Sequence, residues 1–98
     1  MPNHFRVALY NLTSGTVEEA VELARGGMLP IFRDHPGFVR YELGKLDDGG
    51  VVSFSIWETA DEAEQANALA ADWVKDNIAE RIALRELHTG DLELDEDA

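Results

Sequence analysis

The chain has 98 residues, a length suited to one domain over residues 1–98. Eight Lys and Arg stand against twenty Asp and Glu, a formal charge of −12. That balance argues against nucleic acid or anionic membrane as the main partner, because phosphate recognition depends on clustered cations; the absence of cysteine removes disulfides, thiol catalysis and thiolate metal sites.

From the N-terminus, Met1–Arg6 lacks the apolar stretch of a signal peptide. No apolar run nears the ~20 residues of a membrane span, so the expectation is a soluble, cytoplasmic domain. The first strand is predicted over His4–Leu12. Phe5, Val7 and Leu9 lie on one side, and Arg6, Ala8, Tyr10 and Leu12 on the other. Thr16-Val17-Glu18-Glu19 has the form of a capping box. Apolar residues then recur at helical spacing from Val17 to Phe32, with a bend or break expected at Gly26-Gly27 or Pro30.

Asp34-His35-Pro36-Gly37 ends that helix, and Phe38–Leu46 reads as the second strand. Simple alternation puts Phe38 with Arg40 and Glu42, opposite Val39, Tyr41 and Leu43. Asp47-Asp48-Gly49-Gly50 is a hairpin loop. The third strand, Val51–Glu58, carries Val51, Ser53, Ser55 and Trp57 on one face and Val52, Phe54 and Ile56 on the other. A second capping box at Thr59-Ala60-Asp61-Glu62 opens an alanine-rich helix with a stripe of Ala63, Ala66, Ala70, Trp73 and Val74. The last strand falls within Leu84–Leu94, with a bulge or bend expected at Gly90. Asp91–Ala98 holds five acids and no base, and its end is expected to be disordered.

The order β-α-β-β-α-β implies an α+β, ferredoxin-like fold, a four-stranded antiparallel sheet with both helices on one face. The first and third strands are apolar on both faces. A monomer would expose a large apolar sheet face, so a homodimer packed sheet against sheet is expected.

Thr16-Val17-Glu18-Glu19 after the first strand, His35-Pro36-Gly37-Phe38 entering the second and Ser55-Ile56-Trp57-Glu58-Thr59 leaving the third resemble the antibiotic biosynthesis monooxygenase family, a group of dimeric α+β barrels. The resemblance spans Phe5–Leu94. It implies a small hydrophobic cavity between sheet and helices, a small aromatic or polyketide-like substrate, and oxidation with no metal, flavin or haem. It also implies an active-site Trp at the end of the third strand, matched by Trp57, with an Asn four residues earlier, where this chain has Ser53. Haem-degrading relatives carry an Asn in the first strand, here Ala8, and a His on the second helix, which has none between Thr59 and Asn77.

The catalytic candidates are therefore Trp57 as pocket wall, Ser53 as hydrogen-bond donor to a developing oxyanion, and His88 if its side chain turns inward. Tyr10, Tyr41 and Trp57 are candidate substrate-binding residues. His4, His35 and His88 have no metal-ligand spacing. Trp73 reads as core, and Arg6 and Arg40 as inter-subunit salt-bridge or exposed edge residues; if buried, either needs a carboxylate partner, which Glu42 or Glu58 could supply. The alternative to an enzyme is a non-catalytic dimeric barrel that binds a small apolar ligand or none.

Overall fold

The computed structural model describes residues 3–96. The elements are β1 (His4–Leu12), α1 (Val17–Gly26), α2 (Met28–Asp34), β2 (Phe38–Lys45), β3 (Val51–Trp57), α3 (Ala60–Asn77) and β4 (Ile82–Asp91). The strands form one antiparallel sheet in the order β2-β3-β1-β4. The helices cover one face, giving the expected ferredoxin-like fold. The expected disorder at the end of the acidic tail falls on residues 97–98, outside the described residues.

Local chemistry explains the element ends. Thr16 accepts from the Glu19 N–H, and the Glu19 carboxylate accepts from the Thr16 N–H, a complete capping box. That backbone bond is the main reason the Glu19 carboxyl lies below its ordinary pKa. At α3 the box is half formed. Thr59 Oγ1 accepts from the Glu62 N–H, but the Glu62 carboxylate accepts from the Thr59 hydroxyl rather than from its backbone. The first helix is interrupted at Gly27, not at Pro30. Pro30 lies in the first turn of α2, where a missing N–H costs nothing. At Gly27 a Cβ would lie 2.5 Å from the Trp73 indole nitrogen, so the glycine is the floor on which Trp73 rests.

The first strand divides as the alternation predicts. Arg6, Ala8 and Tyr10 are buried under the helices, while Phe5, Val7 and Leu9 are half-buried on the open face. Two bulges alter the register elsewhere. Phe38 pairs with Trp57 but Arg40 pairs with Ile56, so Val39 is the extra residue. Phe38 consequently joins Tyr41 against the core, and Arg40 and Glu42 pair on the open side, correcting the simple alternation. In β4 the shift falls between Leu9 and Tyr10 of its partner strand, making Arg85 the extra residue. Gly90 is no bulge. It stands opposite Phe5, and a Cβ there would lie 2.9 Å from that ring.

Two clusters fill the space between sheet and helices. One joins Phe32, Met28 and Ala24 to Trp57 and the α3 alanines Ala63, Ala66 and Ala70. The other joins Ala8, Tyr10 and Val51 to Val17, Ile78 and Ile82. The small α3 residues let that helix lie close to the sheet, and Trp73 touches both clusters.

Candidate functional site

Between the clusters lies a cavity of about 40 Å³ lined by residues of all four strands and all three helices. Its wall is mostly apolar, with Met28, Phe32 and Val51 among its residues. The polar exceptions are Arg6, Tyr10, Tyr41 and Ser53, with the indole of Trp73. The volume holds roughly two or three waters, so a ring-sized ligand must displace a wall. A groove of about 190 Å³ lies just outside, between Arg25, Leu29 and the shared residues Val21, Tyr41 and Leu43. A wider depression of about 490 Å³ at the α3–β4 turn is built from Ser14, Gly15 and residues 75–81. It is a surface dish whose wall is largely polar, and it lacks the buried polar cluster of the inner cavity.

Tyr41 is the best defined group. Burial pushes its phenol up to about 12, against a smaller opposite pull from the neighbouring Ser53 hydroxyl. At neutral pH Tyr41 is a neutral hydrogen-bond donor, not a base. The same phenol feels Tyr10 and the Arg6 charge, so these four side chains form one neighbourhood.

Arg6 is 2% exposed. Its Nε donates to Asn67 Oδ1 on α3 at 2.5 Å, and its Nη1 is buried without a hydrogen-bond partner among the described residues. Neither expected carboxylate serves it. Glu42 pairs with Arg40 at 3.0 Å on the other side of the sheet, and Glu58 is exposed beyond the end of β3. None of the ion pairs among the described residues includes Arg6.

Of the residues singled out from the sequence, Ser53, Tyr10 and Tyr41 come together in the cavity. Trp57 and His88 do not. Trp57 is wholly buried and stands behind Phe32, whose ring meets it edge-on at 5.1 Å and meets Tyr41 at the same distance. Phe38 and His35 pack on its other edges, and its indole N–H donates to Ser55 Oγ at 2.9 Å. Here the Trp–Ser pair is a satisfied core hydrogen bond. His88 pairs with Val7 in the ladder and therefore lies on the open face, exposed, 3.3 Å from Glu86. The bulge at Arg85 lies between it and the helix-facing Leu84. The residues that sequence reasoning assigned elsewhere, Arg6 and Trp73, line the cavity instead. The placement of Arg6 on the side of Ala8 and Tyr10 was the available signal. Among the described residues, no three of His, Asp and Glu converge on a point that would hold a metal ion.

A family profile described as antibiotic biosynthesis monooxygenase matches residues 4–71. No curated protein matches the chain by sequence. Among solved structures, the chain is similar to SnoaB of Streptomyces nogalater, a cofactor-independent oxygenase. That likeness has 19% identity, covers 97% of each chain and has a TM-score of 0.72. MupZ of Pseudomonas fluorescens is 8% identical over 91% of this chain and 71% of its own, with a TM-score of 0.72. A Shewanella oneidensis protein is 17% identical over 93% of this chain and 89% of its own, with a TM-score of 0.66. At such identities these likenesses speak for the fold.

Proposed function

The chain belongs to the antibiotic biosynthesis monooxygenase family, and from that premise we propose that it is a cofactor-independent monooxygenase acting on a small aromatic or polyketide-like molecule. The observation that carries the reading is the cluster of Arg6, Tyr10, Tyr41 and Ser53 in an otherwise apolar cavity. Such a setting suits a flat apolar substrate held by a few oriented polar groups. The reaction would convert an activated CH2, flanked by a carbonyl or aryl group, to C=O. One oxygen atom of O2 enters the product, and the other leaves with both hydrogens as water.

In this scheme Ser53 and Tyr41 donate hydrogen bonds to the substrate oxygen that gains charge as the carbanion forms. Donors held in a cavity from which the substrate displaces water stabilise that charge more strongly than water does. With its phenol raised to about 12, Tyr41 acts as donor, and the proton lost from the CH2 would pass to water at the cavity. Trp57 acts indirectly, by fixing Phe32 as a wall. Substrate would enter past Tyr41 and Leu43 from the outer groove. A second copy of the chain would cover the open sheet face.

The test is oxygen uptake by the purified, chelator-treated protein with anthrone, whose CH2 has the required activation. Uptake above the buffer rate is expected, with one labelled oxygen from ¹⁸O2 in the quinone product. Uptake no faster than buffer would overturn the reading for this substrate class. The volume of about 40 Å³ and the lack of a histidine or carboxylate in the cavity wall favour a second reading, a barrel that binds a small apolar ligand without turnover. Ligand binding with no oxygen uptake would select it.

A further inference from the structure

The unpaired guanidinium of Arg6 calls for a partner. A buried polar group without a hydrogen bond is costly, and a buried charge without a counter-charge more so. A guanidinium cannot shed its charge to escape that cost as a lysine can. Arg6 is 2% exposed, its Nη1 has no partner among the described residues, and its Nε is held by the neutral Asn67 amide. The other polar groups of the cavity wall, Tyr10, Tyr41 and Ser53, bring no negative charge to neutralise it. A second copy on the open sheet face would lie across the sheet from Arg6, which points toward the helices.

We propose that Arg6 is an anion-recognition residue, so that the ligand of this cavity carries a negatively charged oxygen, a carboxylate or an ionised phenol, on a small apolar body. Arg6 Nη1 donates to that oxygen. The Tyr41 and Ser53 hydroxyls flank it as neutral donors, and Asn67 is a positioning residue that sets the plane of the guanidinium through Nε. Charge-assisted bonds of this kind are about twice as strong as neutral ones. The proposal rests on the reading of this cavity as a ligand site, but not on turnover.

Calorimetric titration of the whole protein with sodium benzoate, benzamide and para-nitrophenol tests it. Benzoate, or para-nitrophenol above its own pKa, is expected to bind at least roughly tenfold more tightly than the matching neutral form, benzamide or the protonated phenol. A benzoate preference alone assigns a carboxylate, and a phenolate preference alone assigns an ionised phenol. Equal binding of charged and neutral forms, or binding of no probe, overturns the proposal. Arg6→Met should remove the advantage of the anion and leave benzamide affinity within about twofold, while Arg6→Lys retains part of it. If Arg6→Met does not fold, the wild-type comparison still decides, and Asn67→Ala should weaken benzoate more than benzamide. Anion preference without oxygen uptake keeps this proposal and removes the monooxygenase. Oxygen uptake without anion preference does the reverse.

Discussion

At Trp57 two roles of an indole separate cleanly. Its ring has no exposed surface and is boxed by Phe32, Phe38 and His35, with its N–H satisfied by Ser55. Trp57→Ala therefore removes packing, and should lower stability in urea unfolding by about 3–5 kcal/mol. A loss below about 1 kcal/mol would contradict the core placement. Ser55→Ala leaves the buried indole N–H without an acceptor and should cost about 1–3 kcal/mol. Tyr41 gives a pH signature. Its phenol is raised from 10.0 to about 12. Below pH 10 the folded and unfolded chains both keep this proton, so stability is independent of it. As pH rises from 10.0 toward about 12 the unfolded chain ionises first, binds fewer protons, and stability falls. The contribution lost is on the order of 2–3 kcal/mol. Tyr41→Phe should flatten that fall, and unchanged alkaline slopes in the two proteins would contradict the burial of the phenol.

The helix break between α1 and α2 is governed by space, not by backbone strain. Gly26 has nothing within 4 Å of an added Cβ, whereas at Gly27 the Trp73 ring lies at 2.5–2.7 Å. Gly26→Ala should stabilise by about 0.5–1 kcal/mol, the usual gain from replacing a helical glycine. Gly27→Ala should destabilise by about 1–3 kcal/mol through overpacking, and should shift Trp73 fluorescence because that indole must move. Equal effects at the two positions would remove the packing argument. The same contrast shows what a linear sequence conveys. Periodicity and turn chemistry located the first three strands and the starts of α1 and α3, because Thr16, Thr59 and the Asp47–Gly50 loop act through neighbours in the chain, whereas the last strand runs from Ile82 to Asp91 and not within Leu84–Leu94. The bulges at Val39 and Arg85 were hidden, since each is a property of two strands in register. They decided which of Phe38, Leu84 and His88 meets the helices. In the cavity wall, alternation put Tyr10 on the side of Arg6 and Ala8, and Ser53 was singled out by the family resemblance, but that Trp73 and not Trp57 reaches the wall depends on tertiary packing. Nor did the sequence reveal that Asn67, rather than a glutamate, would meet Arg6.

Across the whole molecule, the helices cover one sheet face and leave the other to Phe5, Val7, Leu9, Val52 and Phe54, all half-buried. Phe5 and Phe54 stack at 6.1 Å with planes 13° apart, forming the middle of an apolar strip. Polar pairs lie beside it on the same face, the Arg40–Glu42 ion pair on β2 and the His88–Glu86 contact on β4. An apolar centre with a polar rim is the anatomy of a protein interface, and an antiparallel sheet of this kind is self-complementary about a two-fold axis. We therefore predict a homodimer, with sedimentation equilibrium at micromolar concentration giving about twice 10.9 kDa. Phe54→Glu would bury a carboxylate at the centre of that interface, at a cost on the order of several kcal/mol per copy. It should yield a folded monomer with an unchanged far-ultraviolet spectrum. The two copies each carry a charge of −12, so apolar burial must overcome long-range repulsion. Added salt screens that repulsion and should tighten the dimer, whereas an interface held mainly by its rim ion pairs would loosen. A wild-type monomer at high micromolar concentration and moderate salt would sink the prediction, and dissociation on adding salt would move its driving force from the apolar strip to the rim.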